Sequence, residues 1–167
     1  MIDARDVLTP LAALRNAEDI DTKKLAFNYF PGEQKGDFPS LDLLVPVLSK
    51  KAWNVLEPLA APYCHRHQIH IRDEEYTALS VHHIVDCLDE EKSELKYFSG
   101  NLSKRHIMVV YRLALIDKKI DGAPIFRIKE LEGKGVYLSD EFMAAVDAHN
   151  LQGLLREQVW PPLQDGR

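Results

Sequence analysis

The apolar segment Ile107–Ile116 constrains the fold of this chain more than any other part of the sequence. Arg112 is its only charged residue, and apolar or aromatic side chains fill both sets of alternating positions. A β-strand has this composition when other layers of the protein cover both faces of its sheet. The segment therefore predicts a central β-strand near 107–116.

Two short strands are predicted after this segment. The turn residues Asp121-Gly122 precede Ile125–Ile128, and a glycine-rich turn at 133–135 precedes Val136–Leu138. Because so short a turn joins the two apolar runs, they are expected to pair as antiparallel strands.

Three earlier segments carry weaker strand signals. Residues 68–72 alternate Ile69 and Ile71 with polar neighbours, which is the period of a half-buried strand. The mostly apolar run Leu41–Val45 follows a polar loop and is also predicted to be a strand. Residues 77–88 lack a clean period, so that both helix and strand stay open there.

Helices are predicted where capping residues precede amphipathic segments. Ser49 stands before apolar residues at three-and-four spacing, which indicates a helix over residues 50–59. Ser139 precedes two carboxylates, which favour the positive end of a helix beginning at Asp140. A Thr-Pro pair at 9–10 indicates one short N-terminal helix. Hairpin strands with few helices predict an α+β fold with a mostly antiparallel sheet.

The length of 167 residues fits one domain, because a chain of this size buries about two thirds of its unfolded surface. We therefore predict a single domain over residues 1–167, in which residues 1–40 are an N-terminal extension. The net charge of -5 disfavours nucleic acid as a partner, since phosphate binding needs clustered Lys and Arg.

A membrane partner is not predicted either. No run reaches the roughly 18 to 20 apolar residues that a membrane span needs. Asp3, Arg5 and Asp6 occupy the positions where a signal peptide would place its apolar segment. The expected location is the cytoplasm.

Histidines are concentrated in one stretch of the chain, and imidazole and thiolate are ligands of zinc. In an extended strand His65 and His67 would lie on one face and His70 on the other, so three ligands would need a bend or donors from elsewhere. No HExxH, paired CxxC, GxSxG or phosphate-loop motif is present. We therefore predict no metal, no cofactor and no catalytic residue. The alternative is a small metal-dependent hydrolase that uses some of Cys64, His65, His67, His70, His82 and His83.

A run of carboxylates follows the histidines, with five acidic residues in nine positions relieved only by Lys92. Such residues usually point outward from a solvated turn, and catalytic carboxylate pairs usually come from separate elements. An acidic patch does steer basic partners, and adjoining aromatic side chains can anchor an interface. Most other aromatic residues, Tyr111 among them, are assigned to the core. The predicted partner-binding residues are Asp86, Asp89, Glu90, Glu91, Glu94, Tyr97 and Phe98.

Several segments taken together resemble a known family. Three form a C-terminal signature, namely Ile125–Ile128, Val136–Phe142 and Leu151–Leu154. Val85–Ser93 is similar to a Leu-Asp and Lys-Ser segment of the family, and Leu48–Leu59 is similar to its early helix. In order and spacing these segments resemble the immunity protein eleven family over about residues 41–158.

The resemblance implies an immunity protein of a bacterial polymorphic-toxin or contact-dependent competition system. Such a protein binds and neutralises a cognate toxin, here by steric blockade, and it needs no catalytic residue of its own. Motif residues such as Ser139 and Gly153 build the scaffold, so they identify the family without marking its binding surface. The implied partner is a toxin protein. Besides the hydrolase, a general protein-binding adaptor outside toxin biology is the other alternative.

Overall fold

A computed structural model of the protein describes residues 26–27, 36–39, 44–71, 74–98, 106–131 and 133–161. In these residues, mostly antiparallel strand pairs are combined with three α-helices. The predicted α+β fold is confirmed. The elements in chain order are β1 (Ala26–Phe27), β2 (Val47–Ser49), α1 (Lys50–Ala60), β3 (Cys64–Ile71), β4 (Glu74–Val81), β5 (Ile84–Val85), β6 (Glu94–Tyr97), β7 (Ile107–Arg112), α2 (Asp117–Ile120), β8 (Ile125–Ile128), β9 (Tyr137–Leu138) and α3 (Asp140–Ala148).

The largest sheet has the strand order β1-β3-β4-β2. β3 and β4 pair antiparallel along their whole length, from Cys64 opposite Val81 to Ile71 opposite Glu74, whereas β1 joins β3 in parallel. The strand predicted at 68–72 is thus part of the longer β3, and the open segment 77–88 contains the end of β4 and then β5. Of the strand predicted at 41–45, residues 41–43 lie outside the described residues, and the nearest strand is β2.

Helix α1 covers one face of this sheet. Ser49 caps it by accepting a hydrogen bond from the Ala52 backbone N–H at 3.1 Å, as predicted, and Pro58 lies in its last part. Amphipathic spacing turns its apolar residues toward the sheet, where they meet side chains from β4. The first core is formed by the buried residues Leu48, Ala52, Trp53, Leu56, Ala60, Cys64, Leu79, Val81, Ile125, Phe142, Val146 and Leu151.

Helix α3 packs beside α1 and completes this core. Ser139 accepts a hydrogen bond from the Phe142 backbone N–H at 3.2 Å, which confirms the predicted cap. Asn150 follows the helix with a φ of 49°, a left-handed conformation that ends helices and that asparagine tolerates. Leu151 then returns into the core.

A second core lies between the sheet of order β5-β8-β9 and the pair of β6 with β7. The predicted strands at 125–128 and 136–138 are confirmed as β8 and β9, which pair antiparallel. The buried members of this core are Val85, Cys87, Leu88, Ile107, Leu113, Leu115, Ala123, Phe126, Ile128 and Leu131.

The predicted strand near 107–116 exists, but its central position is wrong. It ends as β7 at Arg112, and among the described residues β7 pairs with β6 alone in a two-stranded sheet. Pairing resumes beyond it, where the Ile116 N–H donates to the Cys87 carbonyl at 2.8 Å. Register shifts between β6 and β7 interrupt the strict alternation of faces, so apolar side chains at both alternating positions do not require cover on both faces.

Besides β1, Asp37 joins the residues before position 41 to the rest of the fold. Its backbone N–H donates to the Gln152 carbonyl at 2.7 Å, and its carboxylate accepts hydrogen bonds from the Ser49 hydroxyl at 2.7 Å and the Gln152 N–H at 2.9 Å. A side chain at Gly36 would come within 2.9 Å of the Gln152 carbonyl, so glycine permits this approach. The helix predicted after residues 9–10 falls outside the described residues.

Asp37 has a pKa below its usual value. Desolvation by burial acts to raise it, but the hydrogen bonds from Ser49 and Gln152 and the charge of Lys51 outweigh desolvation. The carboxylate therefore stays ionised while it joins the start of α1 to the turn after α3.

Candidate partner-binding surface

Asp86, the first residue of the acidic run, is already bound by two lysines of the same chain. Lys129 Nζ lies 2.9 Å from its Oδ2, and Lys119 Nζ lies 3.4 Å from its Oδ1. The hydrogen bond from Lys129 and the charges of both lysines lower the pKa of Asp86. The structure therefore places this exposed carboxylate in a local ion-pair network, where its charge is balanced.

Asp89 organises the turn between β5 and β6. Its carboxylate accepts a hydrogen bond from the Lys92 backbone N–H at 3.2 Å and forms an ion pair with Lys92 Nζ at 3.0 Å. Its backbone N–H donates to the Ala114 carbonyl at 2.9 Å, while its carbonyl accepts from the Ser93 N–H. The side-chain hydrogen bond with Lys92 lowers the pKa of Asp89 despite some desolvation. Asp89 thus stabilises the turn on which the neighbouring Glu90 and Glu91 are exposed.

Glu90 and Glu91 differ from the two aspartates, because both are exposed and neither forms an ion pair with a cation in the described part of the chain. Glu90 accepts a hydrogen bond from the Tyr97 hydroxyl at 2.7 Å. With Ser93, Leu95 and Tyr97 they line a shallow depression of about 380 Å³. Their negative charge remains available to a partner.

Glu94 and the two predicted aromatic anchors sit on β6 and just after it. Glu94 is exposed and lies opposite Arg112 in the strand register. Tyr97 is half-buried and packs against the second core, whereas Phe98 is 56 % exposed. Because side chains of a strand alternate between faces, Tyr97 and Phe98 serve different sides of the hairpin. The structure thus divides the predicted pair into one packed and one open aromatic residue.

Tyr111 was assigned to the core from the sequence, and this prediction is wrong. Tyr111 is 62 % exposed, and Met108 on the same strand is 40 % exposed. The register shifts opposite 94–95 and 96–97 displace these residues from the covered face of β7. The sequence carries no signal for this exposure, because a charged Arg112 in a regular strand would place Tyr111 on the opposite, covered face.

The histidine-rich segment is brought together by the β3–β4 pairing, but the rings find different partners. The rings of His65 and His82 have centroids 4.6 Å apart, and His67 Nε2 lies 2.9 Å from the Ser80 hydroxyl. His83 makes an edge contact with Tyr63. Across the residues that the structure covers, no three His, Cys, Asp or Glu side chains are grouped so that they could hold a metal ion.

Both cysteines are buried thiols. Burial raises the pKa of Cys64 to about 12. Burial, with the charge of Glu130, raises the pKa of Cys87 to about 11. Since the thiolate is the nucleophile and the metal ligand, both groups stay protonated and unreactive at neutral pH.

Comparisons with known proteins add a family to this geometry. A family model described as Immunity protein family (Imm11) matches residues 65–159, which extend from β3 to the segment after α3. A search of curated proteins finds no match to the chain. Among the helices that the structure describes, none has the length and apolar character needed to cross a membrane.

Proposed function

The chain belongs to the Immunity protein family (Imm11), and we propose that it protects a bacterial cell by binding a cognate toxin and covering a surface that the toxin needs. The observation that carries this proposal is the family match over residues 65–159. Membership indicates an immunity function, while the toxin as partner and steric blockade as mechanism are our inference. The mechanism requires a rigid binding surface and no catalysis by this chain.

The chemistry of the described residues agrees with a protein that acts by binding. The thiols of Cys64 and Cys87 are held protonated by burial, so neither is a prepared nucleophile. The imidazoles of His67 and His83 are engaged with Ser80 and Tyr63. These groups are explained by packing and hydrogen bonding within the fold.

The acidic run and its aromatic neighbours are the surface that we propose for toxin binding. Within it, Glu90, Glu91 and Phe98 are exposed and able to contact a partner. Asp86 and Asp89 contribute indirectly, since their ion pairs with lysines fix the shape of the surface. Exposed carboxylates suit a basic partner, because complementary charge speeds encounter and disfavours wrong partners.

Co-expression tests the proposal directly. The product of the gene immediately upstream would be placed under an inducible promoter, alone and together with this chain, and surviving colonies counted. We expect the neighbouring product to kill or arrest cells alone and the chain to restore growth. Purified together, the two proteins should elute as one complex of defined stoichiometry by size-exclusion chromatography with light scattering.

Two controls make the result decisive. Cells that carry the neighbouring gene together with an empty vector show the toxicity of its product. The variant Glu157→Lys, altered at an exposed residue after α3, should protect as well as the wild type. If the neighbouring product is harmless alone, or stays toxic in the presence of this chain, the proposed function is wrong. Protection without any complex between the two proteins would contradict steric blockade.

A further inference from the structure

Two histidines from different parts of the sequence meet at one end of the β3–β4 pair. The rings of His65, on β3, and His82, the residue after β4, have centroids 4.6 Å apart and planes inclined at 38°. Both residues are exposed. The pairing of the two strands therefore creates an exposed pair of imidazoles.

The antiparallel register explains why the two rings meet. His65 lies opposite Ser80 in the ladder. The pairing continues beyond the end of β4, since the His82 backbone N–H donates to the Tyr63 carbonyl at 3.1 Å. Because side chains alternate along a strand, His82 lies on the same face as Ser80 and is the diagonal neighbour of His65. Diagonal neighbours across two strands are within reach of ring side chains.

The backbone on both sides of the pair is held by hydrogen bonds. β3 and β4 pair along their whole length. Beyond them, the His83 carbonyl accepts a hydrogen bond from the Arg127 N–H at 2.9 Å, which ties the connection after β4 to β8. Two ligands on a fixed backbone lose little conformational freedom when they bind the same ion.

The side chains next to the pair in the sequence are engaged elsewhere. His67 lies at the Ser80 hydroxyl, and the His83 ring makes an edge contact with Tyr63. The guanidinium carbon of Arg66 lies 5.5 Å from the centroid of the Trp53 ring, on the helix-covered face of the sheet. The positive charge of Arg66 is thus directed away from the face that carries the two exposed imidazoles.

The spacing of the two rings fits a shared metal ion. Two imidazoles that bind one ion at about 2.0–2.1 Å, with an angle of about 90–110° at the metal, have ring centres about 4.5–5.2 Å apart. The distance of 4.6 Å between the rings of His65 and His82 lies in this range. Rotation of an imidazole about its Cβ–Cγ bond has broad minima, so each exposed ring can direct one nitrogen at the ion.

One contact of His82 is typical of a metal ligand. Its ring N–H donates a hydrogen bond to the Pro62 carbonyl, and ligating histidines generally use their second nitrogen in this way. Desolvation, with the charges of His65 and His83, lowers the pKa of His82 below 6.5. The ring is therefore neutral at pH 7, which is the form that binds a metal.

We propose that His65 and His82 form a surface site for one divalent transition-metal ion of the class that imidazole prefers, Zn²⁺ or Cu²⁺. This departs from the expectation of no metal, which compared histidines within single segments of the sequence. Among the residues that the structure describes, no third His, Cys, Asp or Glu is grouped with this pair. Water would complete the coordination, so binding is weaker than at a four-ligand zinc site. The bound ion would join β3 to the connection between β4 and β5.

Calorimetric titration of the full-length, metal-free chain with Zn²⁺ and with Cu²⁺ tests the site. The protein is purified without a histidine tag, since a tag would bind the same ions. We expect one ion per chain, with Cu²⁺ bound more tightly than Zn²⁺ and no binding of Mg²⁺, which prefers oxygen ligands. His65→Asn and His82→Asn should each weaken binding about tenfold or more, because a single imidazole lacks the effective concentration that the second ligand supplies.

His70→Asn is the matched control, because His70 is an exposed histidine of β3 on the opposite face of the strand. This variant should bind both ions as the wild type does. Without metal, all the variants should unfold within about 2 °C of the wild type, since every altered side chain is exposed. That agreement separates the loss of a site from a folding defect.

Two further measurements report on the wild-type site itself. Zn²⁺ at about a hundred times its Kd should raise the unfolding temperature of wild type and of His70→Asn by about 5–10 °C, and should leave His65→Asn and His82→Asn nearly unchanged. The electron paramagnetic resonance spectrum of bound Cu²⁺ should show coupling to nitrogen from two imidazoles in the wild type, a result that depends on no variant.

Three outcomes would overturn the metal site. In the first, the wild type binds neither ion at concentrations up to about 1 mM. In the second, His65→Asn and His82→Asn bind as tightly as the wild type, which would assign the ion to other histidines. In the third, His70→Asn weakens binding as much as they do. The metal site does not depend on the proposed function, whose readout is the survival of cells that make the toxin, so either can fail while the other stands.

Discussion

The two sides of the molecule differ in how fully their large apolar side chains are buried. On one side, α1 and α3 close over the β3–β4 sheet, and residues such as Leu56 and Phe142 are buried. On the other side, the β6–β7 hairpin covers its core with one face and leaves Phe98 and Tyr111 in solvent. The helix-covered side thus keeps its large apolar residues inside, separate from the exposed apolar residues of the hairpin. A protein that must match one partner and reject others benefits from this separation.

The largest predicted effect tests this separation in the helix-covered core. Leu56 is fully buried, so Leu56→Ala should lower the free energy of unfolding by about 2–5 kcal/mol through lost burial and the cavity left behind. Tyr111→Ala, on the exposed hairpin face, should change it by no more than about 0.5 kcal/mol. Urea denaturation followed by circular dichroism measures both. Equal destabilisation by the two variants would break the comparison.

An intermediate effect is predicted at Asp37, where the helix-covered side is tied together. Asp37→Asn removes the charge from the hydrogen bonds with Ser49 and Gln152 and should cost about 1.5–3 kcal/mol of unfolding free energy. Asp147→Asn is the control, because it alters an exposed ion pair with Arg156 and should cost less than about 1 kcal/mol. A similar loss for both variants would show that Asp37 has no special place in the fold.

Asp37 also predicts a pH dependence with a definite sign. Because its pKa is lowered in the folded protein, the unfolded chain takes up the proton first as the pH falls. The stabilisation is present above the unfolded value of 3.8 and is lost as the pH falls through the lower folded pKa. Denaturation curves from pH 6 to pH 2 should show this loss in wild type, and Asp37→Asn should show less of it.

The smallest predicted effect lies at His82, between β4 of one side and β5 of the other. Desolvation, with the charges of His65 and His83, lowers the pKa of His82 below 6.5. Its contribution to stability is present above pH 6.5 and declines as the pH falls toward the folded pKa. The urea midpoint of wild type should therefore drop slightly between pH 7.5 and pH 5.5, and His82→Asn should reduce that drop. An unchanged drop in the variant would assign it to other groups.

The features that could be predicted from the sequence are those that depend on near neighbours. Ser49 and Ser139 cap their helices through hydrogen bonds to residues three positions ahead, so both helices were predicted correctly. Short strands beside turn residues were predicted for the same reason. Most of the segments that carry the family resemblance also lie within the residues that the family model matches.

The features that could not be predicted depend on residues distant in the sequence. Lys119 and Lys129 neutralise Asp86 from positions 33 and 43 residues away, and no local pattern indicates that pairing. The apolar content of 107–116 was interpreted as burial on both faces, whereas the register shifts expose Tyr111. Composition alone does not distinguish a covered strand from one whose outer face is exposed.

The hydrogen bonds between Asp37 and Gln152 show that the folded structure extends beyond the residues that the family model matches. The family match begins at residue 65, after β2 and α1, yet the turn near its far end is held by Asp37 and approached closely by Gly36. A fragment cut to the matched residues would lack the helix that covers its sheet and the carboxylate that anchors its last turn. In exchanges between relatives, residues 36–39 and 44–60 should therefore be kept together with residues 150–153.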